Sequence, residues 1–204
     1  MRRSTAPDTE EMAATAIGVR ADFTFPTAAP VVGWLHTQTV YSPPVGGADF
    51  HEALEFGIVL AGETERAWDG FQTVVHTGQV WMCGMWEPHS WRYASRDTRT
   101  VAIDFLPQYL IESVDADSVP WPAMFREAPA DRVQAASQAA RVALQEEGER
   151  MAREIAGMEL GWSDALRAHL LRCFKHLSAE WTPWPCPQER VQVECHRIGP
   201  GPDR

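Results

Sequence analysis

Between Asp49 and His89 the chain carries polar side chains at even spacing inside otherwise apolar runs, and glycines close those runs. Asp49, His51 and Glu55 lie two and four residues apart. Side chains alternate faces along an extended chain, so this spacing predicts all three on one side of one strand. Gly62 ends that strand. A second block runs from Gly78 through Val80-Trp81-Met82-Cys83 to Glu87-Pro88-His89-Ser90-Trp91. Two such strands facing each other across a small barrel bring His89 to His51 and Glu55 in the interior. Histidines and carboxylates within apolar walls can hold a small molecule or a metal ion.

Short strands are expected near residues 51–60, 64–69, 71–76, 79–83, 89–94 and 99–106, after a β-rich run from Val31 to Tyr41. Asp69-Gly70 between Trp68 and Phe71 predicts a two-residue hairpin turn of type I′. Many short strands with frequent turns predict a sandwich or barrel. Segment 54–60 is apolar on both faces, so it should be covered by the barrel interior on one side and a helix on the other.

After Pro107 the period changes. Val133, Ala136, Ala140, Leu144, Met151, Ile155 and Met158 recur at helical spacing, interrupted by Gly148, and Gly161 breaks the helix. Leu166, Leu170, Cys173, Leu177 and Trp181 form a second stripe. Two helices joined by a short turn read as an antiparallel hairpin. His169, Cys173 and His176 share a helix face, but Cys173 also belongs to the apolar stripe, where it acts as a small hydrophobe. The run Glu146-Glu147-Gly148-Glu149-Arg150 reads as a solvated helix face. Thr182-Pro183-Trp184-Pro185-Cys186-Pro187 is a stiff linker, after which a helix can begin near Gln188.

The 204 residues suit one domain with additions, and 45% hydrophobic content with nine tryptophans excludes a disordered chain. A net charge of -10 without a Lys/Arg stripe opposes binding to a phosphate backbone. The four cysteines contain no C-x-x-C pair, which points to a reduced compartment, with Cys186 and Cys195 unpaired. The arginines after Met1 lead into Asp8, Glu10 and Glu11 rather than an apolar stretch, unlike a signal peptide. No run approaches the roughly 18 apolar residues of a membrane span. A soluble, cytoplasmic protein with no membrane partner is the expectation.

Asp49-x-His51-x3-Glu55-x6-Gly62 resembles the first cupin motif, with Asp49 where many cupins have histidine. Gly78-x10-His89 resembles the second, although Gly84 and Trp86 replace its usual proline and glycine and Tyr93 its asparagine. The order of parts resembles the sensor half of AraC-type transcription regulators. Gly78-Gln79-Val80, Glu87-Pro88-His89, Trp121-Pro122-Ala123-Met124-Phe125 and Arg190-Val191-x3-Cys195-x2-Ile198 carry that likeness, over roughly residues 30 to 198. The resemblance implies a mainly β protein with α: a cupin-like jelly-roll β-barrel followed by an antiparallel two-helix hairpin. It implies an effector-binding, homodimerising domain and not an enzyme. Its parts would be a flexible arm at 1–22, the barrel at 23–113, a helical dimerisation hairpin at 114–182, a Pro-rich linker at 183–189 and the truncated start of a DNA-binding domain at 190–204. With that second half lacking, the chain would not bind DNA alone. Ala61 stands where the arabinose regulator has an arginine, which disfavours arabinose.

The expected effector site is His51, Glu55, His89, Trp91, Tyr93 and Trp34. Trp91 and Tyr93 share a strand face with His89 and suit a planar or apolar ligand, whereas Trp81 and Trp86 are read as filling the interior. No cofactor is expected from the resemblance. The alternative is a divalent transition metal on His51, Glu55 and His89, in an oxygenase or isomerase, with Asp49 as a further ligand or as a hydrogen-bond partner of His51. Leu166, Leu170, Cys173 and Leu177 are the expected dimerisation residues.

Overall fold

The structure, a computed structural model, describes residues 19–20, 25, 30–37, 46–93, 96–111, 119–132 and 134–181. The linker 183–189, the segment 190–204, Cys186, Cys195, Val133 and residues 1–18 of the arm lie outside them.

Among the described residues nine strands come first: β1 (Val19–Arg20), β2 (Val31–Thr37), β3 (Gly46–Phe50), β4 (Leu54–Ala61), β5 (Glu63–Trp68), β6 (Phe71–His76), β7 (Val80–Cys83), β8 (His89–Tyr93) and β9 (Arg99–Phe105). Short helices α1 (Gln108–Ile111) and α2 (Trp121–Met124) and a 3-10 turn (Pro129–Asp131) lead to the long helices α3 (Gln138–Gly157) and α4 (Trp162–Ser178). The strands form two sheets, ordered β1-β3-β8-β5-β6 and β2-β9-β4-β7. Among the described residues all pairings are antiparallel except β1 with β3. This is the expected double-sheet barrel with a helical hairpin.

Three local expectations are corrected. Asp49, His51 and Glu55 do not share a strand: β3 ends at Phe50, β4 begins at Leu54, and the chain crosses between sheets at residues 51–53. The end of the expected mobile arm is a strand, because Val19 and Arg20 pair in parallel with Asp49 and Phe50. The β5–β6 hairpin closes at Trp68 and Phe71 as expected, but only Gly70 has positive φ (71°). A type I′ turn needs Asp69 left-handed as well, so the turn is of another type.

Strand β4 is buried along seven of its eight residues, Ala61 being half-buried, and the two-sided coverage expected of it is present. Leu54, Phe56, Ile58 and Leu60 join Leu144, Met151, Leu166, Leu170 and Phe174 in one apolar cluster. Val59 faces the opposite way, into a second cluster with Trp68, Val75, Trp81, Cys83 and Ala102. Gly148 fits this packing, since a Cβ there would lie 2.6 Å from Leu60 Cδ2. It lets α3 settle close on β4.

Helix α3 starts later than its stripe suggests. Ser137 is the N-cap and accepts from the Ala140 N–H at 3.1 Å, leaving Ala136 outside. It also ends earlier, with Met158 in the left-handed conformation, and Gly161 (φ 89°) caps the start of α4 instead. Glu180, just past α4, accepts from the Ala136 N–H at 2.8 Å and tethers the two helices.

Two helical readings change. Leu166, Leu170, Cys173 and Leu177, expected at a dimer interface, are fully buried in the protein's own core. A stripe consumed against the barrel offers no area to a second subunit. Glu147, expected in a solvated run, is 5% exposed and pairs with His169 Nδ1 at 2.6 Å and Arg150 at 2.5 Å. No helix among the described residues is long and apolar enough to cross a membrane.

Candidate functional site

The inward faces of the two sheets are rows of cross-strand neighbours, and these rows assemble the site. In one sheet Glu55 sits between Cys83 of β7 and Asp104 of β9. The next inward row is Trp34, Ala102, Gly57 and Trp81, and the one after brings His36 beside Thr100. In the other sheet Asp49 pairs with His89, Trp91 with Arg66, and Tyr93 with Thr64. The small residues Gly57 and Ala102 leave room between the rows. A Cβ on Gly57 would come within 2.0 Å of the Trp81 ring, so glycine alone lets that indole lie across β4 and reach Glu55.

The result is a cavity of about 290 Å³. Trp34, Trp91 and Tyr93 line it as expected, together with His36, Asp49, His51, Glu55, Thr64, Arg66, Trp81, Thr100, Ala102 and Asp104. His89 lies against its polar end. His51 and His89 stack edge to face with ring centroids 5.1 Å apart, and Glu55 Oε2 is 3.6 Å from His51 Nε2 and 2.9 Å from His89 Nε2. The expected trio therefore converges, although by a corner and two sheets rather than by one strand. Asp49 turns to His89, at 2.8 Å, and not to His51. Trp86 is outside: it is 48% exposed, and its left-handed backbone (φ 59°) directs its N–H onto the His51 carbonyl at 2.6 Å. That bond fixes the corner from which His51 projects.

Arg66 and Asp104 are functional candidates that spacing alone did not single out. Arg66 Nη2 donates to Glu55 Oε1 at 2.6 Å, and its guanidinium lies 4.5 Å from the Trp81 ring centroid. The Trp81 indole N–H donates to the same Glu55 oxygen. Asp104 accepts from the Trp34 indole N–H and stands 3.8 Å from His51 Nε2. The legible signal was parity: Arg66 alternates with Glu65 and Ala67, and Asp104 interrupts an apolar strand on its inward side.

Burial and charge oppose each other here. Burial pushes the Glu55 carboxyl up, but the charges of Arg66 and His89 hold it well below its ordinary value. Burial pulls His89 down, yet Cys83, Glu55 and Asp49 hold it well above its ordinary value. Asp104 rises from 3.8 to about 7, first through burial and then through repulsion by Glu55, against the pull of His51 and Trp34. His36 is lowered, chiefly by burial, and Tyr93 is raised for the same reason, so the aromatic wall is uncharged at neutral pH.

These shifts set a pH dependence. Between about pH 4 and 7 the folded protein keeps a proton on Asp104 that the unfolded chain releases. This contribution to stability is complete below the ordinary value and lost as pH rises through about 7. His89 has the same sign, its contribution lasting to higher pH; that of Glu55 is present above 4.5 and lost as pH falls through its lowered folded value. In urea titrations across pH 4–7, the stability of wild type relative to D104N is expected to decline as pH rises. A difference that stays flat would show Asp104 to be solvated.

The donor set also fits a divalent transition metal. Both imidazoles donate Nδ1–H to main-chain carbonyls, His51 to Ala53 at 3.1 Å and His89 to Glu87 at 2.8 Å. Each thereby turns Nε2 toward the carboxylates. His89 Nε2 and Asp49 Oδ1 approach within 2.8 Å, yet neither makes a directed hydrogen bond. With the His89 Nε2 proton displaced, these atoms can share a cation. Three overlapping groups have ligand atoms within 4.8 Å of one another: Asp49, His51 and His89; Glu55, Cys83 and His89; and His51, Glu55 and Asp104. The expected set of His51, Glu55 and His89 is thus distributed over them.

No protein-family model and no curated protein matches the sequence. Solved structures do match. The AraC-like transcriptional activator CuxR is 8% identical, with 80% of this chain and 56% of that chain covered and a TM-score of 0.50. This chain therefore spans little more than half the length of that protein. The cupin domain of an XRE-family transcriptional regulator from Enterobacter cloacae is 18% identical, over 42% of this chain and 90% of that one, with a TM-score of 0.36. A mutant oxalate decarboxylase of Bacillus subtilis is 13% identical over 38% of this chain and 22% of that one, with a TM-score of 0.34. Identities this low concern the fold, which is a cupin-like barrel with a helical hairpin.

Proposed function

We propose that this chain is the small-molecule-sensing part of an AraC-type transcription regulator. The observation that carries the reading is the cavity itself. A floor of convergent charged groups and a wall of uncharged aromatic rings suit recognition of one small ligand. The fold shared with CuxR over 80% of this chain agrees with it. Occupancy can be communicated in two directions. Asp49 lines the cavity and is the register partner of Val19, so the strand at the end of the N-terminal arm lies beside the site. Strand β4 carries Glu55 inward and Phe56 outward onto α4. A ligand that contacts one arrangement of these elements better than another shifts their population.

The convergence of the two Nε2 atoms favours a second reading, a metal-dependent enzyme. His51, Glu55, His89 and Asp49 or Asp104 would hold the ion, which would act as a Lewis acid toward a bound oxygen. A thermal-shift screen of chemically diverse small molecules, run beside elemental analysis of protein purified without added metal, separates the two. The sensor reading expects metal-free protein and a saturable rise in Tm with at least one organic compound. A stoichiometric transition metal whose removal lowers Tm, with no organic stabiliser, would overturn it.

A further inference from the structure

Among the polar groups that line the cavity, Asp104 is an acid left short of a donor. On the acceptor side stand the carboxylates of Asp49, Glu55 and Asp104. Arg66 is the one guanidinium among the described lining residues; its Nη2 is committed to Glu55 and, at 3.5 Å, to Cys83 Sγ, and its Nε is buried without a partner. The Trp81 and Trp34 indole N–H groups are also spent, on Glu55 and Asp104. Asp49 Oδ1 faces the His89 imidazole at 2.8 Å, whereas Asp104 Oδ1 has no hydrogen bond and stands 3.8 Å from His51 Nε2. Asp104 is 3% exposed, so solvent does not supply its missing donor. A buried acceptor with no donor is costly, and a ligand that supplies one recovers that cost.

Beside this acid end stands a concave aromatic wall. Trp91 and Tyr93 have ring centroids 5.2 Å apart, and His36 lies 5.6 Å from Trp91 and 6.1 Å from Tyr93, all mutually tilted. Ring faces carry partial negative charge and attract cations, more so where water is excluded. The wall and the acid floor thus favour the same kind of guest. The volume, about 290 Å³, is roughly twice that of a cavity that accommodates benzene.

Building on the small-molecule reading, we infer that the ligand class is a primary amine with a flat, apolar body, its ammonium group donating to Asp104 and its body resting against Trp91, Tyr93 and Trp34. Neutral polyols lack the charge, and a carboxylate in the place of the ammonium would meet Asp104.

Isothermal titration calorimetry of the full chain after chelator treatment tests this with three isosteric probes at pH 8: 2-phenylethylamine, 2-phenylethanol and phenylacetate. The amine is expected to bind at least tenfold more tightly than either isostere. D104N should abolish that preference, and W91A should weaken the amine while leaving its rank. An alcohol that binds as well as the amine, a tighter carboxylate, or binding by none of the three overturns the inference using wild-type protein alone. In each of those cases the diverse screen still decides separately whether the cavity is a ligand site at all.

Discussion

Replacing Arg66 with methionine is expected to cost about 3–5 kcal/mol of stability, the range for removing one partner of a buried ion pair. Glu55 and Arg66 are both buried and joined at 2.6 Å. R66M leaves the carboxylate with the Trp81 indole and the two imidazoles, and no fixed cation. The loss should be smaller in the double variant R66M/E55Q, because glutamine carries no charge to strand. A double-mutant cycle in urea is the measurement, with an interaction energy above about 1 kcal/mol expected. A single-variant loss below about 1 kcal/mol would mean that water reaches Glu55 and that the pair is no more than a surface contact.

Phe174→Ala is expected to cost a similar amount, about 3–5 kcal/mol, for a different reason: a buried aromatic is deleted from a packed core. Phe174 packs on Phe56 of β4 (5.1 Å between centroids), Trp121 of α2 (6.0 Å) and Phe125 (5.9 Å). Leu170 and Leu177 of the same stripe are also fully buried. If the stripe is intramolecular core, F174A lowers the chemical-denaturation midpoint while the sedimentation behaviour of the folded protein stays as in wild type. A variant that keeps its stability but changes its oligomeric state would restore the interface reading of α4.

The convergence of His51, Glu55 and His89 was legible in the sequence for a reason that survived an error of geometry. Even spacing predicts a shared face on one strand. In the structure the chain instead crosses from one sheet to the other at residues 51–53. Asp49 and Glu55 then look into the same cavity from opposite sheets, so the inward parity held although the strand did not. The helical hairpin was legible through its period, but its ends were not, because Ser137 starts α3 with a side-chain cap and Met158 ends it with a left-handed main chain, neither of which is a hydrophobic pattern. Arg66 and Asp104 were visible only as charges at inward positions. Their meaning depends on register between strands distant in sequence: Asp104 becomes a site residue because β9 pairs with β4 so as to place it beside Glu55. Glu147 was misread for a related reason. Its charge is answered by His169 on the other helix, and no periodicity along one helix reports a partner on another.

Strand β4 has no side turned to water. Of its odd-numbered residues Glu55 lines the chamber and Val59 packs in the second apolar cluster, while its even-numbered residues join the cluster that includes the long helices. Strand β4, with β9 beside it, thus forms a partition between chamber and scaffold. A guest that nudges this partition by a fraction of an ångström disturbs interdigitated side chains on the far side directly, without a hinge or a moving lid, since close-packed interiors transmit strain instead of absorbing it.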